Sequence, residues 1–211
     1  MEKFIIIGYK YCPQWTNFKL IGDFYDIDYE IIEIHNGEGL KDMIQKLFNN
    51  YLKDFLLLEF KGAVIIHKNE FIYDNAGFLM EIFFLKKIKI NKKLLSIVRK
   101  EQWIHNHMEE FYWLSVGNNI IDLFKKSVLT SEKNQVGNKI LMDKFHMFNE
   151  WFHHNPWILG QDFSFCDFSL LNFIKGIVEK NNNILNNYYH FHQWYLRMIV
   201  KKDPLFFLKN S

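Results

Sequence analysis

The hydrophobic pattern of this chain changes type near residue 86, and that change limits the folds open to it. Short apolar runs of the strand type alternate with helical stripes ahead of that point, at residues 4–9, 29–34, 63–67 and 70–73. Beyond residue 93 the apolar stripes all have the helical spacing of three and four residues. A chain of 211 residues can bury one large core or two smaller ones. We therefore expect a mixed α/β domain at 1–86, a basic linker at 87–93 and an all-helical domain at 94–211.

The first of these regions opens as a strand, a helix and a second strand. Pro13 marks the start of the helix, because proline is tolerated in the first turn, and Asp26 closes it in a left-handed turn. A helix between two neighbouring strands makes them parallel. Lys68 and Asn69 then separate two strands that read as an antiparallel hairpin. With further helices at 40–55 and 75–85, the order β-α-β-α-β-β-α is that of a thioredoxin-like domain.

Charge and hydropathy exclude two classes of partner. Lys and Arg total 26 and Asp and Glu total 24, so the formal net charge is +2. That balance lacks the basic surface of a nucleic-acid-binding protein, and we expect no nucleic-acid partner. No apolar run reaches the roughly 18 residues that a membrane helix needs, so we expect no membrane partner either.

Cysteine usage and the start of the chain point to one compartment. The two cysteines, Cys12 and Cys166, are too few for a secreted disulfide framework. The apolar run at residues 4–7 is too short for a signal peptide. We expect a cytoplasmic protein.

A helix start near residue 164 is spelled out in unusual detail. Ser164 occupies an N-cap position, and Asp167, three residues later, can reach back to the N–H of Ser164. Phe163 and Phe168 fall at the two positions of a hydrophobic staple. The sequence predicts a capping box and a staple at the start of one buried helix.

This helix start carries a family resemblance. The stretch 157–167 reads WILGQDFSFCD, which resembles the pattern W-L-x-G-x-x-F-S-x-A-D of the glutathione S-transferase superfamily, with Cys166 in place of the alanine. The chain ends similarly to the family, with Trp194, Arg197 and Met198 matching its W-x-x-R-M pattern. The resemblance implies the glutathione S-transferase fold, a thioredoxin-like domain followed by an all-α helical bundle. It also implies a homodimer.

Cys12 is the candidate nucleophile. It lies where the first strand ends and the first helix begins, and the N-terminus of a helix favours the thiolate form. The run Cys12-Pro13-Gln14-Trp15 resembles the C-P-aromatic motif of glutaredoxins and of the omega, lambda and dehydroascorbate-reductase classes of transferase. The resemblance implies a mixed disulfide between Cys12 and glutathione, with Trp15 in the position of a resolving cysteine. The alternative is a small buried cysteine that starts the helix.

The resemblance also places a glutathione-binding half, with one departure. Family members have a cis-proline at the start of strand three, whose neighbouring backbone pairs with the cysteine part of glutathione. Here Ala63 and Val64 take that place, and a cis bond before a residue other than proline costs about 3 kcal/mol. We therefore expect a trans bond and a site that is altered or lost. Asp74 and Asn75 resemble the acidic-serine pair that holds the γ-glutamyl group; the alternative is that they only cap the helix.

A pocket for an electrophile and a histidine metal site are two further candidates. The resemblance places a pocket for an electrophile beside Cys12, lined by Trp103, His107 and Phe111; the alternative for these aromatics is packing. The histidine pairs are one or two residues apart, at 105/107, 153/154 and 190/192. Such spacings do not place both rings on one helix face, so we expect no metal site.

Two functions remain after these considerations. One is a glutathione S-transferase-like enzyme whose Cys12 thiolate performs glutathione-dependent thiol transfer or conjugation. Its co-substrate is glutathione, and its second substrate is a small electrophile or a mixed disulfide. The other is a non-catalytic scaffold or interaction protein that has lost glutathione binding. The missing strand-three proline favours the scaffold, and the retained Cys12-Pro13 pair favours the enzyme.

Overall fold

A computed structural model describes residues 3–9, 12–34, 63–68, 70–115, 131–201 and 204–205. The chain divides into two compact units, Met1–Lys89 and Ile90–Ser211. The helix expected at 40–55 lies outside the described residues. Within the described part of the chain, no helix is both long and apolar enough to cross a membrane.

The first unit contains a four-stranded mixed sheet. Its strands are β1 (Phe4–Gly8), β2 (Tyr29–Glu33), β3 (Ala63–His67) and β4 (Glu70–Ile72), in the order β2-β1-β3-β4. Strand β2 pairs with β1 in parallel, whereas β3 pairs antiparallel with both β1 and β4. The predicted parallel pair and the predicted hairpin are both confirmed.

Helix α1 (Pro13–Phe24) makes the crossover between β1 and β2. It begins at the predicted proline, and the chain leaves it through Asp26, whose φ of 50° is the predicted left-handed turn. Gly22 permits a close approach here, since a Cβ at that position would lie 2.8 Å from Cε1 of Tyr29. The Tyr29 hydroxyl donates a hydrogen bond to Asp23 and so holds this ring against the helix.

Apolar residues on both faces of the sheet form the core of this unit. All five residues of β3 are buried, as expected for a central strand covered on two sides. On one face, Phe78 of helix α2 (Asn75–Leu85) packs its ring edge-on against Phe4 at 5.3 Å and Phe18 at 5.8 Å. On the other face, Ile7, Val64 and Ile66 belong to a second apolar cluster.

The second unit is all-helical in its described part, as predicted. Its helices are α3 (Lys92–Ser115), α4 (Ser131–His154), α5 (Phe165–Lys180) and α6 (Tyr189–Ile199). Helix α3 starts inside the segment expected to be a linker, because Asn91 Oδ1 accepts a hydrogen bond from the N–H of Leu94 at 2.9 Å and caps its first turn. The predicted apolar stripes are buried, at Ile97, Ile104, Met108, Leu141, Phe145, Phe148, Phe152, Leu171, Ile174 and Val178.

Stacked aromatic rings join α4 to α6. Phe191 of α6 lies 5.2 Å from Phe148 and 5.8 Å from Phe152, with the rings nearly parallel. The fully buried Trp194 stacks on Phe152 at 4.8 Å. This contact buries Trp194, which the family pattern singled out, between the two helices.

The capping box predicted for α5 is present. The Ser164 side chain caps the first turn, accepting from the N–H of Cys166 at 3.2 Å, and Asp167 Oδ2 accepts from the N–H of Ser164 at 3.1 Å. The staple is present too, with the rings of Phe163 and Phe168 5.4 Å apart.

Candidate functional site

Cys12 lies at the junction of β1 and α1, as the sequence predicts. It is the N-cap residue of α1 and has an extended backbone conformation. Its N–H donates to the backbone oxygen of Tyr9 at 2.9 Å, and its own carbonyl accepts from the N–H of Thr16 at 3.2 Å. Because both backbone groups are paired, the position of Cys12 at the helix start is well determined.

Burial sets a limit on what Cys12 does in this conformation. The residue is only 3% exposed, and the neighbouring side chains of Gln14 and Trp15 are also buried. A buried cysteine reacts slowly, since neither a thiol reagent nor glutathione reaches its sulfur. Reaction at Cys12 therefore requires movement of surrounding side chains.

The sheet register brings the expected glutathione-binding residues to one edge. Gly8, at the end of β1, pairs with Ala63 at the start of β3, and Val64 pairs with Ile7. Strand β4 runs antiparallel to β3, so its end lies at the same edge and leads into Asp74. At this edge of the sheet, Cys12 follows β1, Asp74 follows β4 and Ala63 begins β3.

A side-chain bond ties the starts of α1 and α2 together at this edge. Gln14 Nε2 donates a hydrogen bond to the backbone oxygen of Tyr73. The next residue, Asp74, is the N-cap of α2, and its Oδ1 accepts from the N–H of Gly77 at 2.6 Å. Asn75 is buried in the first turn of α2. The capping role that was the alternative for Asp74 is therefore present, and it occupies one carboxylate oxygen.

The peptide bond before Ala63 was expected to be trans. Among the described residues no peptide bond is cis. The bond between residues 62 and 63 lies outside them. Ala63 and Val64 themselves are buried strand residues. Their expected role toward glutathione stays a prediction.

Two of the three residues expected to line the electrophile pocket contact each other in the second unit. The ring of Trp103 packs edge-on against His107 at 5.1 Å and against Phe148 at 5.4 Å. His107 Nδ1 lies 2.8 Å from Nζ of Lys144. Burial, and then the positive charge of Lys144, lowers the pKa of His107. Phe111 belongs to α3, but its side chain lies outside the described residues, and the pocket stays a prediction.

A lysine between two tryptophans is a feature that sequence reasoning missed. Lys100 Nζ lies 3.6 Å from the ring centroid of Trp151 and 4.7 Å from that of Trp103. Burial lowers the pKa of Lys100, and the nearby Cys166 opposes that shift. The spacing of three residues between Lys100 and Trp103 hinted at one contact, but Trp151 lies on another helix.

The second cysteine has no access to solvent. Cys166 is completely buried, and its thiol contacts the backbone oxygen of Ile97 at 3.6 Å. Burial, followed by the charge of Glu101, raises its pKa well above the ordinary value. Cys166 is therefore an unreactive thiol, and the reactivity of Cys12 can be compared with it in the same protein.

Comparison with known proteins agrees with this architecture. The family model described as "Glutathione S-transferase, C-terminal domain" matches residues 118–202. No curated protein sequence matches the chain.

Solved structures resemble the chain over nearly its whole length. The glutathione transferase URE2P8 from Phanerochaete chrysosporium, solved with oxidized glutathione, is 12% identical with a TM-score of 0.69, covering 97% of this chain and 92% of its own. A serine-to-cysteine mutant of poplar glutathione transferase F1 is 15% identical with a TM-score of 0.66, covering 97% and 95%. A glutathione S-transferase from Sinorhizobium meliloti 1021 is 14% identical with a TM-score of 0.65, covering 97% and 90%.

Identities this low establish the fold, and the family model adds the family of the C-terminal domain. The two findings agree with the thioredoxin-like sheet and the capped core helix described above. Residues 118–202 therefore match the C-terminal domain of glutathione S-transferases, and the chain as a whole has the fold of the glutathione transferase structures.

Proposed function

We propose that this protein binds glutathione at the sheet edge of its first unit and transfers thiols through Cys12. The observation that carries the proposal is the convergence of Cys12, at the start of α1, with Asp74 and Asn75, at the start of α2. The bond from Gln14 to the backbone of Tyr73 ties these two helix starts to each other.

The starts of α1 and α2 suit two negative charges, the thiolate of the proposed nucleophile and the carboxylate of the proposed ligand. Unpaired N–H groups at the start of α1 stabilise a thiolate on Cys12. The start of α2 offers the same environment to the carboxylate of a γ-glutamyl group, beside Asn75. URE2P8, which shares the fold, was solved with oxidized glutathione. That ligand contains the same γ-glutamyl group and a disulfide of the kind proposed as substrate here.

The proposed reaction proceeds in two exchanges. The Cys12 thiolate attacks the glutathionyl sulfur of a mixed disulfide, forming a Cys12–glutathione disulfide, and the other thiol leaves as a thiolate. A second glutathione thiolate attacks the bound glutathionyl sulfur, which releases oxidized glutathione and restores the Cys12 thiolate. Trp15 stands where a resolving cysteine would be, so the proposed chemistry is monothiol. A small electrophile is the alternative second substrate, and its reaction with glutathione is a conjugation.

A second function is favoured by a specific observation. Cys12 is 3% exposed, which describes a structural cysteine better than an open nucleophile. Together with Ala63 in place of the strand-three proline, this burial favours a non-catalytic scaffold of the same fold.

Location and assembly are part of the proposal. Cys12 and Cys166 are not joined in a disulfide, as suits a protein of the reducing cytoplasm. We propose a cytoplasmic homodimer, by resemblance to the family, and light scattering coupled to size exclusion tests the dimer.

Alkylation distinguishes the two functions. The protein is treated with iodoacetamide at a series of pH values, with and without glutathione, and labelling at each cysteine is quantified by mass spectrometry. The enzyme predicts labelling of Cys12 with a midpoint below the roughly 8.5 of a free thiol. It also predicts protection of Cys12 by glutathione, while Cys166 stays unlabelled in the folded protein. Equal resistance of both cysteines, with no retention on immobilised glutathione, would establish the scaffold.

A further inference from the structure

We propose that the second unit binds a transition-metal ion of the Zn²⁺, Ni²⁺ or Cu²⁺ class at the end of α4, with Glu150, His153 and His154 as ligands. Glu150, His153 and His154 are exposed. The site lies within the second unit and does not depend on glutathione chemistry at Cys12.

The first observation is that three of these side chains converge. Their candidate ligand atoms, one each from Glu150, His153 and His154, lie within 4.8 Å of one another. Glu150 precedes the two histidines by three and four residues, a spacing that places it on their side of the helix. A tetrahedral zinc ion holds its ligand atoms about 3.3 Å apart. Small rotations of exposed side chains close that difference.

Adjacent histidines do not usually share a helix face, and on that ground we expected no metal site. In the structure the rings of His153 and His154 stack at 4.5 Å with an angle of 16° between them, and their candidate ligand atoms lie within 4.8 Å of each other. The two residues are the last two of α4, so no further turn of the helix follows them.

The second observation is an imidazole ring from another helix that packs against His153. The ring of His190, in α6, stacks on His153 at 4.4 Å with an interplanar angle of 8°. Asn149 holds its backbone in place, since Asn149 Oδ1 accepts from the N–H of His190 at 2.9 Å and from that of Phe191 at 3.3 Å. The partner of His153 is thus positioned by the packing of α4 against α6.

The ligand chemistry selects the class of ion. Neutral imidazoles with one carboxylate suit zinc, copper and nickel, whereas magnesium and calcium prefer sites made of oxygen atoms alone. The site also lies at the C-terminal end of α4, where the helix dipole is negative and favours a cation. Exposure of Glu150, His153 and His154 leaves room for a water molecule or a small anion on the bound ion.

The test is a calorimetric titration of the whole protein, freed of chelator, with Zn²⁺. The wild type is expected to bind one ion per chain with a micromolar or lower Kd. His153→Ala and His154→Ala are each expected to weaken binding about tenfold or more, because each removes a ligand. His192→Ala is the matched control; this histidine lies in α6, two residues beyond His190, and its replacement should leave the affinity unchanged.

Thermal unfolding supplies a second readout on the same variants. Zinc is expected to raise the Tm of the wild type and of His192→Ala by more than that of His153→Ala, since binding to the native state stabilises it in proportion to the logarithm of the affinity. Cobalt substitution is expected to give the visible absorption of a four- or five-coordinate ion. Absence of saturable binding below millimolar zinc would overturn the proposal, as would equal weakening by His192→Ala and His153→Ala. An unchanged affinity in His154→Ala would remove one of the three proposed ligands and with it the site proposed.

Discussion

Trp194 Nε1 donates a hydrogen bond to Asp167 Oδ1 at 3.0 Å, and this bond joins α6 to the capping box of α5. The same oxygen accepts from the N–H of Ile158 at 3.1 Å, and Oδ2 accepts from the N–H of Ser164. One fully buried carboxylate therefore receives donors from three segments of the second unit. Burial is the largest influence on it and raises its pKa from 3.8 to about 6, against the opposing effect of these hydrogen bonds.

Replacement of Asp167 by alanine is expected to destabilise the protein strongly. The lost cap costs about 1 kcal/mol, and the donors of Trp194 and Ile158, left buried without an acceptor, bring the total to about 3 kcal/mol. The free energy of unfolding is measured by urea denaturation. Asp162→Ala is the control, since Asp162 is an exposed carboxylate in the preceding loop. Equal effects of the two substitutions would contradict the role given to Asp167.

The raised pKa of Asp167 predicts a specific pH dependence. Between about pH 4 and pH 6 the folded protein keeps a proton on Asp167 that the unfolded chain releases. The stability from this group is complete below the unfolded pKa and is lost as pH rises through the folded one. It amounts to about 3 kcal/mol.

The variant Asp167→Asn isolates this effect, because its amide does not titrate while the other groups of the protein remain. We expect the unfolding free energy of the wild type, relative to Asp167→Asn, to fall by about 2 kcal/mol between pH 4 and pH 6.5. Denaturant melts at closely spaced pH values measure it. A constant difference would show that the pKa of Asp167 is the same in both states.

Cys12→Ser is expected to abolish thiol transfer while leaving the melting temperature nearly unchanged, since serine is close in size and can cap α1. Activity is measured as the release of oxidized glutathione from a glutathione mixed disulfide. Cys166→Ala is the control variant, because it removes the other thiol and leaves the start of α1 intact. Full activity in Cys12→Ser would refute the proposed nucleophile.

A double-mutant cycle tests the close approach of α1 to β2. In the wild type a methyl group at position 22 would lie 2.8 Å from the ring of Tyr29, so Gly22→Ala forces that ring away from its bond to Asp23. In a Tyr29→Ala background the same methyl group meets no ring and adds helix propensity. We expect Gly22→Ala to be at least about 1 kcal/mol less favourable when Tyr29 is present. Additive effects in urea melts would exclude the contact.

Local sequence was sufficient for several helix starts and turns. Pro13 starts α1, Asp26 takes the left-handed conformation, and Ser164 with Asp167 forms the capping box. Each of these features depends on neighbours no more than four residues away, so the information lies within one short segment. The alternation of strand and helix patterns up to residue 86 likewise predicted the order of the described elements of the first unit.

Local sequence could not predict the burial and the side-chain contacts of each site residue, because these depend on which distant segments pack together. The sequence alone determined that Cys12 starts a helix, whereas only the tertiary structure decided that its side chain is buried. Lys100 lies between two tryptophans because α4 brings Trp151 to it. His190 meets His153 for the same reason: the aromatic faces of α4 and α6 bury each other, and that burial places residues 37 positions apart in direct contact.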